Sequence, residues 1–254
     1  MSETQHAFVA AQYGPRANDY VTSLVHSSGE DLDQLEALLR GHAGARVLDL
    51  GCGGGHVSYR ASPHVAAVVA CDLTPGMLAA VERTAASRGL SNITVQQAAA
   101  ESLPFADGSF DFVLCRFSAH HWHRMEAGLR EARRVLAPAG CAVFIDTVAP
   151  ADPVLDTHLQ AIELLRDGSH VRNYAVAEWI AALARAGLAM TSLCCRGLVM
   201  DFPVWVARTN TPIAHADAIR SLQDKAPQLV RDHFRIAENG SFTIESMLVT
   251  VVAA

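Results

Sequence analysis

Charge is scarce in this chain of 254 residues. Asp, Glu, Lys and Arg together make up 18%, and the net charge is −6. A surface that follows phosphates needs clustered Lys and Arg, so nucleic acid is not an expected partner. Arg130, Arg133 and Arg134 interleave with Glu131 on a predicted helix and read as a solvated face; Arg231 and Arg235 form the other small cluster. No C-x-x-C occurs among the six cysteines, Cys52, Cys71, Cys115, Cys141, Cys194 and Cys195. They read as reduced thiols, the pattern of a cytoplasmic protein. No apolar run is long enough to cross a bilayer, so no membrane span is expected. The start, Met1 to Thr4, lacks the basic and apolar succession of a signal peptide. No internal repeat, low-complexity tract or linker interrupts the chain, which favours one domain over 1–254. Half the residues are apolar, enough for a sizeable core.

What is present is organised around Val47-Leu48-Asp49-Leu50-Gly51-Cys52-Gly53-Gly54-Gly55-His56. A short apolar strand runs into glycines at every second position. Such a loop lays a nucleotide-like ligand on bare backbone, because only Gly permits that approach and takes positive φ freely. The dinucleotide fingerprint G-x-G-x-x-G requires Gly where His56 stands, so an NAD-dependent oxidoreductase fits poorly. The pattern D-x-G-x-G-x-G, with an acid ahead of the loop, suits a nucleoside that carries an amino acid. A turn that binds nothing stays open at this point.

Around the loop the chain alternates strands and helices. Residues 1–15 read as a mobile lead, and a helix from Arg16 carries Tyr20, Val21, Leu24 and Val25. A second helix spans 31–40. Strands are expected at 46–50, 65–71, 92–96, 110–115 and 141–146, with helices from about Gly54, from Thr74-Pro75, and over 124–136. Further helices follow Asp152-Pro153 and span 176–186, then a long strand covers 189–200. Residues 202–238 carry two helix patterns, and Asn239-Gly240 turns into a closing strand over 242–252. Strands separated by helices call for a parallel sheet with right-handed crossovers, an α/β class. The expected divisions are N-terminal helices over 1–41, a ligand-binding half over 42–148, and cap insertions over 149–175 and 202–238.

Four ordered blocks carry a family resemblance. They are the glycine segment above, Asp72-Leu73-Thr74-Pro75-Gly76-Met77-Leu78, Ala100 through Pro104-Phe105-Ala106-Asp107-Gly108 to Asp111, and Glu131 through Val135-Leu136-Ala137-Pro138-Ala139-Gly140. Together they fall in residues 45–147, about 40% of the chain. This region resembles class I S-adenosylmethionine-dependent methyltransferases, closest to the ubiquinone/menaquinone-biosynthesis C-methyltransferase (UbiE-like, methyltransferase type 11) group. The resemblance implies a Rossmann-like, seven-stranded, mostly parallel sheet with the last strand antiparallel and helices on both faces, under a helical cap. It implies S-adenosyl-L-methionine as cofactor and S-adenosyl-L-homocysteine as product. Asp49, Gly51, Cys52 and Gly53 would hold the donor. Asp72 would accept hydrogen bonds from the ribose hydroxyls, since a carboxylate does so with two oxygens. Leu73 and Met77 would flank the adenine. Where the family commonly has an acid to meet the adenine amino group, this chain has Ala99; Ala100 and Glu101 are the substitutes, Glu101 serving equally well as a helix-start acid. Backbone groups of Cys115 and Arg116 would meet the methionine ammonium, and Tyr20 would cover the methionine end.

After the fourth strand comes Cys115-Arg116-Phe117-Ser118-Ala119-His120-His121-Trp122-His123. Ligands in such sheets sit beyond the C-terminal strand ends, so this stretch faces donor and acceptor. His120 and His121 are the candidate bases, as side chains that titrate near neutrality, and pocket shaping is the competing role. No metal is expected, because no acid stands at ligand-like spacing from the histidines. His123, Tyr174 and Trp205 are the candidate substrate contacts. Phe202 and Phe234 join them near the opening, or pack the cap to the sheet. Neither Asn-Pro-Pro-Tyr nor a Pro-Cys pair is present, which argues against amide, amino-nucleobase and cytosine-C5 acceptors. The expected partner is a small apolar or aromatic methyl acceptor, with carbon or oxygen methylated, and a homodimer as the form of any self-association. The alternative is a donor-binding protein without transferase activity, motivated by Ala99.

Overall fold

A computed structural model of the chain describes residues 4–16 and 29–254. The predicted helix with Tyr20, Val21, Leu24 and Val25 lies outside the described residues. Elements in order are α1 (Gln5–Tyr13), α2 (Glu30–Leu39), β1 (Arg46–Leu50), α3 (His56–Ala61), β2 (Ala67–Asp72), α4 (Pro75–Ser87), β3 (Ile93–Gln97) and β4 (Phe110–Arg116). Then come α5 (Met125–Val135), β5 (Leu136–Ala149), α6 (Pro153–Arg166), β6 (Tyr174–Ala175), α7 (Val176–Arg185), β7 (Leu188–Met200), α8 (Phe202–Arg208), α9 (Ile213–Asp224), α10 (Gln228–His233) and β8 (Phe242–Ala253).

The strands form one sheet in the order β3-β2-β1-β4-β5-β8-β7. The first five along that path are parallel, and β8 runs antiparallel to both β5 and β7. This is the expected seven-stranded arrangement. An eighth strand, the two-residue β6, adds to β5 at Val148 and Ala149. Successive side chains of a strand point to opposite faces, and β5 shows it. Phe144 packs with Phe110, Leu129 and Trp179 under α5 and α7. Val143 and Ile145 pack on the other face with Leu32, Leu35 and Val57 from α2 and α3. A third core, built on Leu159, Trp205, Ile219, Phe234 and Phe242, joins α6 and α8–α10 to the start of β8.

Several local expectations need correction. The lead over 1–15 contains helix α1, capped by Thr4, whose hydroxyl accepts the Ala7 amide at 3.2 Å. The 202–238 segment holds three helices rather than two. The unpredicted one, α8, starts on Asp201, whose carboxylate accepts the Val204 amide at 3.1 Å, and has Pro203 in its first turn. The helix after the glycines begins at His56, because Gly55 at φ +81° is still in the left-handed region. Strand β5 extends past both predicted ends, since β4 pairs with it at Leu136 and β8 as far as Val148. The consequence for function is simple: β1, β2, β4 and β5 all end at one edge of the sheet, and a cavity opens there.

Candidate active site

The cavity measures about 520 Å³, within the range of small-molecule sites of about 300–1,000 Å³. Its floor is the glycine loop. Gly51 (φ +73°) has the hydroxyl of Ser118 in the place its side chain would take: an added Cβ would fall 1.9 Å from Ser118 Oγ. Gly53 (φ +48°) differs, because nothing lies within 4 Å of such an atom. Bare main chain therefore meets open cavity at Gly53. Behind the loop, Asp49 is buried and accepts the Ser58 amide at 3.0 Å and hydroxyl at 2.6 Å. Burial outweighs those bonds and raises its pKa to about 7. Cys52 is a buried thiol whose pKa burial pushes well up.

Asp72 ends β2 with each carboxylate oxygen on a backbone amide: Gly53 N at 2.9 Å and Thr74 N at 2.8 Å. The Thr74 hydroxyl and the Leu73 amide also act on this carboxylate, which lines the cavity. Burial raises its pKa against these bonds. Leu73, Met77, Ala99 and Ala100 continue the wall, and Met77 packs with Ala80 and Tyr13. Glu101 also lines the cavity, where it accepts the Arg124 amide at 3.2 Å and lies 3.5 Å from His6.

After β4 a short 3-10 turn, Ala119–His121, presents two histidines. His120 Nδ1 lies 2.5 Å from Asp146 Oδ1, and the His120 amide donates to Asp146 Oδ2 at 3.2 Å. Nδ1 is then the protonated nitrogen, and Nε2 has no hydrogen-bond partner among the described residues. Burial opposes a charge on this ring, but the Asp146 carboxylate overrides it and raises the His120 pKa. His121 is different. Burial, and then the charge of His120, lower it to about 4. Its Nε2 is 3.0 Å from the Tyr13 hydroxyl and its Nδ1 is 3.2 Å from the Ser169 carbonyl. Tyr13 itself donates to Asp167 Oδ2. Both contacts on the His121 ring therefore call for a ring hydrogen, while burial resists the second one. Asp167 overcomes its own burial through His121, Ser169 and Tyr13, and lies at about 2.

The structure gathers Asp49, Gly51, Cys52, Gly53, Asp72, Leu73, Met77, Ala99, Ala100, Glu101, Arg116, His120, His121 and Trp205 around one cavity. Cys115, His123 and Tyr174 are outside its lining: Cys115 is a buried core thiol, His123 is exposed, and Tyr174 packs beside the α5–α7 core. Tyr20 lies outside the described residues. Phe234 is core and does not line the cavity. Trp205 does both, 1% exposed yet part of the lining. Sequence reading missed Tyr13, Asp146, Asp167 and Arg166. Asp146 had one signal, its position at the end of a strand beside the site.

The comparisons with known proteins agree with this geometry. The Methyltransferase domain family matches residues 48–144. The YafE protein of Escherichia coli (strain K12) is 46% identical over 195 residues, covering 77% of this chain and 94% of its own. The methyltransferase YcgJ of Bacillus subtilis (strain 168) is 35% identical over 242 residues, covering 93% and 96%. Its crystal structure superposes with a TM-score of 0.85 at 34% identity, covering 88% of this chain and 98% of that one. The ubiquinone/menaquinone biosynthesis C-methyltransferase UbiE of Coxiella burnetii (strain RSA 331 / Henzerling II) is 32% identical over 166 residues, 61% of this chain and 65% of its own. The chain belongs to the class I S-adenosylmethionine-dependent methyltransferases. The oxidoreductase alternative, already weakened by His56, falls with that membership. Among the described residues no helix is long and apolar enough to cross a membrane.

Proposed function

We propose that this enzyme methylates a small apolar or aromatic molecule at carbon or oxygen, using His120 as general base. The carrying observation is that one cavity joins the glycine loop and Asp72 at one wall to the His120–Asp146 pair at the other. The donor fits the first wall: an open cradle at Gly53 that a Cβ would fill, and an anchored carboxylate that lines the cavity. Asp49, Gly51, Cys52, Gly53, Asp72, Leu73 and Met77 would hold it, with Ala99, Ala100 and Glu101 toward the adenine. S-adenosylmethionine supplies an activated methyl group on a sulfonium. The protein's share is alignment, exclusion of water and custody of one proton.

That custody falls to His120. Asp146 fixes the Nδ1–H tautomer and leaves Nε2 to take the acceptor's proton. His121 is held by Tyr13 and Ser169 and shapes the wall. The cap segments 149–175 and 202–238 close the acceptor side, with Trp205 as its aromatic surface. The test is formation of S-adenosylhomocysteine from purified enzyme and a panel of small phenols and enols. His120→Ala must lose most turnover while S-adenosylmethionine affinity stays; unchanged turnover removes His120 as the base.

A further inference from the structure

The acceptor-side wall carries cationic groups that methyl transfer does not require. Arg166, the last residue of α6, lines the cavity with a side chain only 12% exposed. Its Nε donates to the Trp205 carbonyl at 3.0 Å, and its guanidinium carbon lies 4.9 Å from the centre of the Trp205 ring. This bond and an ion pair with Glu163 engage the side chain, although a guanidinium has five N–H donors. Glu163 Oε2 pairs with Nη1 at 3.6 Å, a loose ion pair within the same helix. Glu163 is itself buried, and that burial raises its pKa and weakens it as a counter-charge.

Three more arginines line the same cavity, of which Arg116 is paired with Asp31 at 2.5 Å. Arg208 stands three residues after Trp205, at the end of α8. Arg196 is occupied, 3.4 Å from Asp31 and 3.7 Å from Glu30. The same lining holds apolar Leu198, Met200 and Trp205 beside the carboxylate of Glu163. The planar guanidinium fork matches an oxyanion with two parallel bonds.

We propose that the methyl acceptor bears an anionic head group, a carboxylate or a phosphate, seated on Arg166 with Arg208 beside it. Its apolar body lies along Trp205, Leu198 and Met200 and so presents the reacting atom toward His120. This specifies the substrate class of the reading above and rests on it. Carboxylate and phosphate share the recognising chemistry, and the experiment separates them.

The test is calorimetry on the full chain saturated with S-adenosylhomocysteine, titrated with 3-phenylpropanoate, 2-phenylethyl phosphate and the neutral 3-phenylpropanamide. At least one anion is expected to bind roughly tenfold or more tighter than the amide, the size that a charge-assisted hydrogen bond supports. Whichever anion binds tighter identifies the head group. Arg166→Gln is expected to bring that anion to the level of the amide while S-adenosylhomocysteine affinity stays within about twofold, since the donor wall is untouched. Equal binding of anion and amide, no binding of either anion at millimolar concentration, or an intact preference in Arg166→Gln overturns the proposal. Should Arg166→Gln fail to fold, the wild-type comparison and Arg208→Gln, expected to weaken the anion and spare the amide, decide it. Absent S-adenosylhomocysteine binding would strike the methyl-transfer reading instead, so the two failures are distinct.

Discussion

Asp146 grips His120 twice, through the ring Nδ1 at 2.5 Å and through the main-chain amide at 3.2 Å. One carboxylate thereby sets both the tautomer and the position of the ring. Asp146→Asn keeps the shape and removes the charge. The expected result is a fall in kcat on the order of a hundredfold, the scale of a general base, with donor affinity kept. The pH profile gives the sign. Asp146 holds the His120 pKa up, so its loss lets burial lower that pKa, and the acidic limb of kcat/KM moves to lower pH. A limb that stays in place would assign Asp146 a packing role.

Gly51 and Gly53 separate two effects of the same substitution. Gly51→Ala places a methyl group into Ser118 Oγ in a backbone conformation at φ +73°. It is expected to cost roughly 2 kcal/mol or more of stability, through strain and clash. Gly53→Ala meets nothing within 4 Å, so its cost is only about 1–2 kcal/mol for the left-handed backbone. Its methyl group stands in the cavity instead. Thermal unfolding should single out Gly51→Ala, and S-adenosylhomocysteine calorimetry should show Gly53→Ala folded but weakened in binding.

Asp72→Asn is expected to weaken S-adenosylmethionine binding by roughly tenfold to a hundredfold, the loss of one or two hydrogen bonds to a charged group. The amide nitrogen of Asn would also face either Gly53 N or Thr74 N, two donors that now meet a carboxylate. Competition by adenosine reads the ribose contribution directly. Equal adenosine affinity in both proteins would place the ribose elsewhere.

The histidines also set an acid limit. His170 is buried with Nε2 3.2 Å from Gln160 Oε1, and burial followed by the charges of His120 and His121 lowers its pKa from 6.5 to about 2. Below 6.5 the unfolded chain binds a proton that the folded one refuses, so folding stability falls as pH falls. The slope is on the order of 1 kcal/mol per pH unit. Asp49 works oppositely: its pKa rises on folding from 3.8 to about 7, so it favours the folded state as pH falls through that window. His170→Gln isolates the first effect. Its stability relative to wild type should improve steadily from pH 6.5 to pH 4 in denaturant titrations.

Trp205 illustrates which parts of the site were readable from sequence. Its placement at the opening was legible, because an aromatic in a cap insertion faces either ligand or core. That it does both was not, since this depends on Phe242 closing in from elsewhere in the chain. The glycine loop, Asp72 and β1 were legible because each is written in consecutive residues whose spacing is its mechanism. The C-terminal end of β5 was not, because β8 draws it out from a hundred residues away. Tyr13 was hidden for a related reason. Helix α1 buries no residue, so it lacks the apolar stripe that marks a packed helix. What pins it is polar and distant: Gln5 on the Ser169 carbonyl at 2.9 Å, and Tyr13 on Asp167. Short-range patterns carry no trace of such pairs.

The boundary of the matched family region has a consequence of its own. It ends at residue 144, two positions before Asp146. The glycine cradle, Asp72 and both site histidines fall inside it; Asp146, Arg166, Asp167 and Trp205 fall outside. The residues proposed to grip the common reagent thus lie within the matched stretch, and most of those proposed to mould the pocket around its client lie beyond it. Grafting residues 145–254 of a relative onto this chain should transfer the choice of client molecule and leave the grip on the reagent where it was.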